Sequence, residues 1–264
     1  MSTQRIVAAA QIVVRRGDVE WNVRRHVRLA RAAADEGAQI VLFPEMSLTG
    51  YELDRARDLA FTGQDERLGP LAEAAAAGAL TLVVGAPVRA GSRLHIGAFI
   101  VSPDGGIALY TKRRLGAFGP SAAVDGVVPP AEATVFQPGD HDPLVRLGAR
   151  TAAVAICADI GAPEHPRQAA QRGATTYLAS MFVIPSEFDA EAAALSRYAA
   201  EHAMAVVMAN HGGPTGGLAS AGRSSLWSER GDLVARLEDR GDGVALGFES
   251  DQGWRGRAIR VDGA

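Results

Sequence analysis

Four residues of this 264-residue chain are of types, and stand at positions, that could carry covalent chemistry: Glu45, Lys112, Glu132 and Cys157. Cys157 is the only cysteine, behind the apolar run Thr151–Ile156 and ahead of Ala158-Asp159. It stands where a strand ends and a turn begins, and ligands of α/β proteins gather at the carboxyl ends of strands. A thiol attacks as the thiolate, and its ordinary pKa of about 8.5 requires a base or a cation beside it. Read alone, though, a cysteine behind an apolar run is as readily a small buried hydrophobe. Glu45 closes the run Ile40–Phe43 and Pro44. Enclosed there, desolvation would raise its carboxyl toward the range of a general base; exposed, it is a loop carboxylate. Lys112 follows Ile107–Tyr110 and is either a solvated member of Lys112-Arg113-Arg114 or a fixed charge for an oxyanion. Glu132, in Pro130-Ala131-Glu132-Ala133-Thr134, is by itself an acidic residue in a loop.

Histidine is the usual partner of a nucleophilic thiol. His26, His95, His141, His165, His202 and His211 are the six available, and none stands in a cysteine-protease signature. A Cys–His hydrolase using His165, His202 or His211 remains an alternative. The glycine-rich stretch Gly212–Gly217 fits neither a phosphate-binding loop nor a dinucleotide fingerprint. No His/Cys/Asp cluster has metal-ligand spacing, and neighbouring Glu164 and His165 do not share a helix face.

The elements that must position these residues alternate between strand and helix. Ile6–Ala10, Ile40–Phe43, Leu80–Val84, Thr151–Ile156, Thr175–Ala179 and Ala205–Ala209 read as short strands. Helices are expected from Asp18 or Asn22 to Gly37, over Leu71–Ala77 before Gly78, over Pro166–Arg172 before Gly173, and over Glu187–His202. Pro103-Asp104-Gly105-Gly106 predicts a hairpin between Ala98–Ser102 and Ile107–Tyr110. Glu229-Arg230-Gly231-Asp232 predicts a second between Ser224–Trp227 and Leu233–Leu237. Gly116–Gly139 is a long loop rich in Gly, Pro and Ala, a length that is uncommon unless functional. No linker splits the chain, so mixed α/β layers in one domain are expected.

Bulk properties narrow the classes. Hydrophobic residues make up 47%, charged residues 22%, and the net charge is −3, so no basic footprint for nucleic acid is present. No apolar run reaches the roughly 18 residues of a membrane span. Met1–Arg5 is polar and has no signal-peptide pattern, and one cysteine forms no intrachain disulfide. A cytoplasmic location is expected.

In order along the chain, four blocks resemble the nitrilase superfamily of carbon–nitrogen hydrolases. They are Phe43-Pro44-Glu45-Met46-Ser47-Leu48-Thr49-Gly50-Tyr51, Tyr110-Thr111-Lys112-Arg113-Arg114-Leu115, Glu132-Ala133-Thr134-Val135-Phe136-Gln137-Pro138-Gly139-Asp140, and Ile156-Cys157-Ala158-Asp159 with Pro163-Glu164. Weaker echoes are Gly85-Ala86-Pro87-Val88, Tyr198 to Glu201, Asn210 with Gly212, and Gly222-Arg223-Ser224. Three departures stand out: Ala158 where an aromatic is frequent, His95-Ile96-Gly97 in place of a Tyr-Asn-Ser-like segment, and His202 in place of an asparagine.

The resemblance implies a four-layer αββα sandwich, with residues 1–264 forming a single carbon–nitrogen hydrolase domain, paired with a second copy as a homodimer or higher homo-oligomer. It implies an amidase-like cycle on a small amide. Glu45 is then the base, Cys157 the nucleophile, Lys112 the oxyanion donor together with the Ala158 N–H, and Glu132 the residue that holds Lys112 or a second position on the substrate. Ala158 and Met181 are the expected substrate-binding positions, with more room beside Ala158 than an aromatic would leave. No metal and no organic cofactor is expected. Ala158-Asp159 in place of Trp-Glu favours an amide over a nitrile. N-carbamoyl or ureido hydrolysis, a nitrilase, and a non-catalytic scaffold are the alternatives.

Overall fold

Short apolar runs of this sequence become strands buried on both faces, as expected of parallel strands whose two faces are both covered. The structure, a computed structural model, describes residues 5–122 and 128–261. Met1–Gln4 of the polar start and residues 123–127 of the Gly116–Gly139 loop lie outside the described residues. In chain order the elements are β1 Arg5–Gln11, α1 Val19–Asp35, β2 Ile40–Leu42, α2 Ala56–Leu59, α3 Gly69–Gly78, β3 Thr81–Ala90, β4 Arg93–Val101 and β5 Ile107–Thr111. They continue with β6 Val145–Leu147, β7 Arg150–Ile156, α4 Glu164–Gln171, β8 Thr176–Ser180, α5 Phe188–His202, β9 Ala205–Ala209, β10 Ser225–Trp227, β11 Leu233–Arg236, β12 Gly243–Ser250 and β13 Gly253–Arg260.

Two sheets form. One has the order β13-β12-β1-β2-β3-β4-β5, the other β11-β10-β9-β8-β7-β6. The centre of each is parallel, β1-β2-β3 and β7-β8-β9, and antiparallel strands extend both edges. The two-residue period of a strand sorts the side chains into layers. Val7 and Ala9 join Ile40, Leu42, Val154, Ile156 and Leu178 between the sheets. Ala8 and Ala10 point the other way, to Leu29 and Ala33 of α1 and Leu71 of α3. Ala153 and Ala155 meet Ala169 of α4 and Leu195 of α5 on the far side. Helices, sheet, sheet, helices is the αββα sandwich. No helix among the described residues is long and apolar enough to cross a membrane.

Local signals set the helix ends. The Asp18 carboxylate accepts from the Trp21 N–H at the start of α1, and Gly37 takes the left-handed conformation after its end. Gly78 is the last residue of α3 rather than its terminator; Ala79 adopts φ +50 instead. Both expected hairpins form. Pattern reading missed β6, β12 and β13, and also the hairpin that extends β3 to Ala90 against β4. Those segments alternate weakly: β13 carries Arg255, Arg257 and Arg260 and is largely exposed.

One packing contact links the sheet to the chemistry. Gly85 sits inside β3, where an added Cβ would lie 2.4 Å from the Met46 nitrogen and 2.5 Å from the Pro44 oxygen. Its carbonyl accepts from the Leu48 N–H at 2.9 Å. The turn carrying Glu45 therefore leans on bare backbone. Gly85→Ala is expected to cost about 1–3 kcal/mol by overpacking, and to displace Glu45. A thermal melt and kcat should fall together; an unchanged melting temperature would contradict this contact.

Candidate active site

Glu45, Lys112, Glu132 and Cys157 come from four separate stretches of chain and meet between the sheets. Glu45 follows β2, Lys112 follows β5, Cys157 follows β7, and Glu132 opens a 3-10 turn in the long loop. Lys112 is fully buried and Glu45 and Glu132 nearly so. A buried ammonium is tolerable only when paired. Lys112 Nζ donates to Glu45 Oε1 and to Glu132 Oε1, each at 2.7 Å. Burial favours the neutral amine, but the charges of Glu45, Cys157 and Glu132 outweigh it and hold the ammonium well above its usual range. Lysine has three N–H donors, and the third has no acceptor among the described residues.

Glu45 is fixed through its backbone. Its N–H donates to the Met181 carbonyl at 3.3 Å, and its carbonyl accepts from His211 Nε2 at 2.8 Å. Burial lifts its carboxyl to about 7; Lys112 opposes this and the charge of Glu132 adds to it. Oε2 of Glu45 is buried without a hydrogen-bond partner among the described residues, and the Cys157 thiol lies close enough to bias its titration. Both oxygens of Glu132 are engaged: Oε1 also accepts from the Tyr51 hydroxyl at 2.8 Å, and Oε2 accepts from the Gly116 N–H at 2.6 Å. It ties the ammonium to the loop that covers the pocket.

Cys157 adopts φ +43, a left-handed conformation that costs a non-glycine residue about 1–2 kcal/mol. The corner turns the side chain off β7 into a pocket of about 390 Å³ that Ala158 and Met181 also line. The thiol donates to the Phe182 carbonyl at 3.7 Å. Burial first, then the charges of Glu45 and Glu132 against that of Lys112, push it well above its usual range. It is therefore a protonated thiol at neutral pH, and an unpaired carboxylate oxygen stands beside it. Part of the room expected beside Ala158 is occupied by backbone, since a Cβ on Gly116 would lie 3.2 Å from the Ala158 Cβ.

Asp159 locks Cys157 and Lys112 to each other. Oδ1 accepts from the Arg113 and Arg114 N–H groups at 3.1 and 2.7 Å; Oδ2 accepts from the Ile156 N–H at 3.0 Å and the Tyr110 hydroxyl at 2.7 Å. Behind it, His165 completes a one-way chain. Tyr177 donates to its Nδ1 at 2.8 Å, and its Nε2–H donates to the Tyr110 oxygen at 2.9 Å, because the Tyr110 proton is committed to Asp159. Burial lowers the His165 pKa, consistent with a neutral ring. His211 holds Glu45, and His202 stacks on Tyr198 at the end of α5. Among the described residues, no histidine hydrogen-bonds to Cys157.

Tyr51 and Asp159 are site residues that the sequence reading did not single out. Both lie inside blocks it quoted, and their polar tips at fixed distance from Glu45 and Cys157 were the available signal. The Gly212–Gly217 stretch packs against the Tyr51 segment: a Cβ on Gly216 would lie 2.4 Å from the Tyr51 carbonyl, and the Tyr51 N–H donates to the Thr215 hydroxyl at 2.8 Å.

Comparison with known proteins shows the family. Residues 6–247 match the model of the carbon–nitrogen hydrolase family. A mutant of the amidase from Nesterenkonia sp. AN1, of the nitrilase superfamily, superposes with a TM-score of 0.78 and 26% identity, over 92% of this chain and 90% of that one. Mutants of the same amidase are known in complex with butyramide, and with the acetamide moiety of fluoroacetamide added covalently at the active-site cysteine. Glutamine-dependent NAD(+) synthetase of Mycobacterium bovis is 26% identical over 86% of this chain. That match covers 36% of the synthetase, so this chain spans much less than the length of that relative. A nitrilase of Pyrococcus abyssi is also 26% identical, over 85% of this chain and 82% of its own.

Asp159→Asn tests the lock. An amide nitrogen would face N–H donors, and about 3 kcal/mol should be lost with the buried charge-assisted bonds. The melting temperature should fall, and kcat with it, as the Lys112 segment loosens. Wild-type values for both would dismiss Asp159 as the tie.

Proposed function

Because the chain belongs to the carbon–nitrogen hydrolase family, we propose that it cleaves the C–N bond of a small carboxamide through a thioester on Cys157. The observation that carries this reading is the unpaired, buried Glu45 Oε2 beside a thiol held in its protonated form. A carboxyl raised to about 7 is matched to take that proton and return it. Glu45 removes the thiol proton as sulfur attacks the amide carbon. The unspent N–H of Lys112 and the Ala158 N–H receive the developing oxyanion. Glu45 hands the proton to the leaving amine, and a water activated by the same carboxylate then hydrolyses the thioester. Glu132 keeps Lys112 oriented throughout. Ala158 and Met181 contact the substrate.

The butyramide and fluoroacetamide forms of the Nesterenkonia amidase support an amide substrate and a cysteine nucleophile. The Pyrococcus relative supports nitrile hydrolysis as the second reading. Release of ammonia from a panel of small amides, N-carbamoyl compounds and nitriles decides between them; nitriles turned over faster than amides would favour the second. We read residues 1–264 as one catalytic domain acting in the cytoplasm as a homodimer or larger assembly. Light scattering at micromolar concentration checks the assembly, and a monomer would refute it.

Cys157→Ala should abolish turnover with the melting temperature nearly unchanged; retained turnover would remove Cys157 from the mechanism. The pH dependence has a definite sign. Protonated Glu45 cannot accept the thiol proton, so kcat/KM should fall as pH drops below about 7. In Glu132→Gln, loss of the neighbouring negative charge lowers the Glu45 pKa, so the acid limb should move to lower pH. Its plateau kcat should drop by roughly 100-fold as Lys112 loses its anchor. An unshifted limb with near-wild-type kcat would place Glu132 outside the machinery.

A further inference from the structure

Two carboxylates of the Cys157 pocket have no task in the proposed cycle. Glu187, just before α5, and Glu191, one turn into it, lie four residues apart on one helix face. Both line the pocket that holds Cys157 and Glu132. Each is half-buried, and among the described residues neither side chain makes a hydrogen bond or an ion pair. Acidic residues suit a helix N-terminus, and exposed Asp189 serves that purpose at full hydration. Glu187 and Glu191 are instead partly stripped of water and set beside each other. Burial raises both pKa values, and for Glu191 the charge of Glu187 adds to it. Arg114 is the cation among the described lining residues, and it forms no ion pair with either. The buried and unpaired Glu45 Oε2 lies next to Cys157, which lines the same pocket. Two unpaired carboxylates and a thiol on the walls of one pocket are complementary to a molecule with a cationic tail and a carbonyl head.

We propose that Glu187 and Glu191 receive a positively charged group of the substrate, so that the preferred amide carries an ammonium at the end remote from the scissile bond. This rests on the amidase reading above. The pair is a specificity device: a favourable contact with a cation, and repulsion of an anionic tail.

The test uses isosteric amides, 4-aminobutanamide with a terminal ammonium and pentanamide with a methyl in its place. The wild-type enzyme should favour the charged amide by about 10-fold or more in kcat/KM, with the difference mainly in KM. Glu187→Gln/Glu191→Gln should erase the preference and leave pentanamide turnover at the wild-type rate. Equal wild-type kcat/KM for the two amides, or a preference that survives in the variant, overturns the proposal. A second measurement separates it from the amidase reading: protection of Cys157 from iodoacetamide by propylammonium against propanol, read by mass spectrometry. If neither amide is turned over but propylammonium protects selectively, in wild type and not in the variant, the amide reading falls and the cation site stands. If there is neither turnover nor selective protection, both fall.

Discussion

A lysine ammonium with no access to water, gripped by two carboxylates, is the constraint around which the rest of this molecule is arranged. Removing such a charge from water costs several kcal/mol, and the Coulombic return depends on geometry. Lys112 meets that condition with two hydrogen bonds of 2.7 Å, to Glu45 and Glu132. Neither acid could be deleted without stranding a buried cation. The pairing also divides the labour of the carboxylates. Glu132 engages both oxygens, on Lys112, Tyr51 and Gly116, whereas Glu45 keeps one oxygen unpaired. A carboxylate with both oxygens engaged is suited to anchor a cation, and a half-free one with its pKa near neutrality is suited to carry a proton.

That arrangement demands that segments far apart in sequence be held to within tenths of an ångström, and the two parallel sheet centres provide the frame. Glu45 and Cys157 each leave the carboxyl end of a strand, one from each sheet, so the seam between the sheets becomes the site. Two backbone devices then remove the slack. Bare Gly85 lets β3 press against the Glu45 turn. Asp159 gathers the Ile156 amide ahead of Cys157 and the Arg113 and Arg114 amides after Lys112 onto one carboxylate. The His165 chain behind it shows how a histidine that looks available for catalysis can be consumed by architecture.

Much of this was legible in the sequence. Central strands are continuous apolar runs, and Ile40–Phe43, Thr151–Ile156 and Ala205–Ala209 are recognisable because both of their faces are buried. The four chemical residues could be singled out because each follows such a run or sits in a block of distinctive spacing. Illegible segments were those whose partners supply the order. β13 is largely exposed and arginine-rich, and becomes a strand because β12 offers it a ladder. β6 is three residues long and pairs with β7. Within the site, the sequence could not distinguish a solvated Lys112 from a buried one, since that depends on Glu132 arriving from a loop twenty residues on. Nor could it show that His165 and His211 are already engaged through their rings.

The left-handed corner at Cys157 limits what mutation could make of this site over evolutionary time. At φ +43 a side chain branched at Cβ crowds its own backbone, which leaves threonine and valine as strained replacements. Serine, unbranched and of nearly the same size, fits the corner but offers a far less acidic group to a carboxylate of modest basicity. Glycine relaxes the backbone and carries no nucleophile at all. Conformational geometry thus excludes the branched side chains at this turn, and reactivity separates cysteine from serine. A hydroxyl group branched at Cβ, as in threonine, would require the corner itself to be rebuilt.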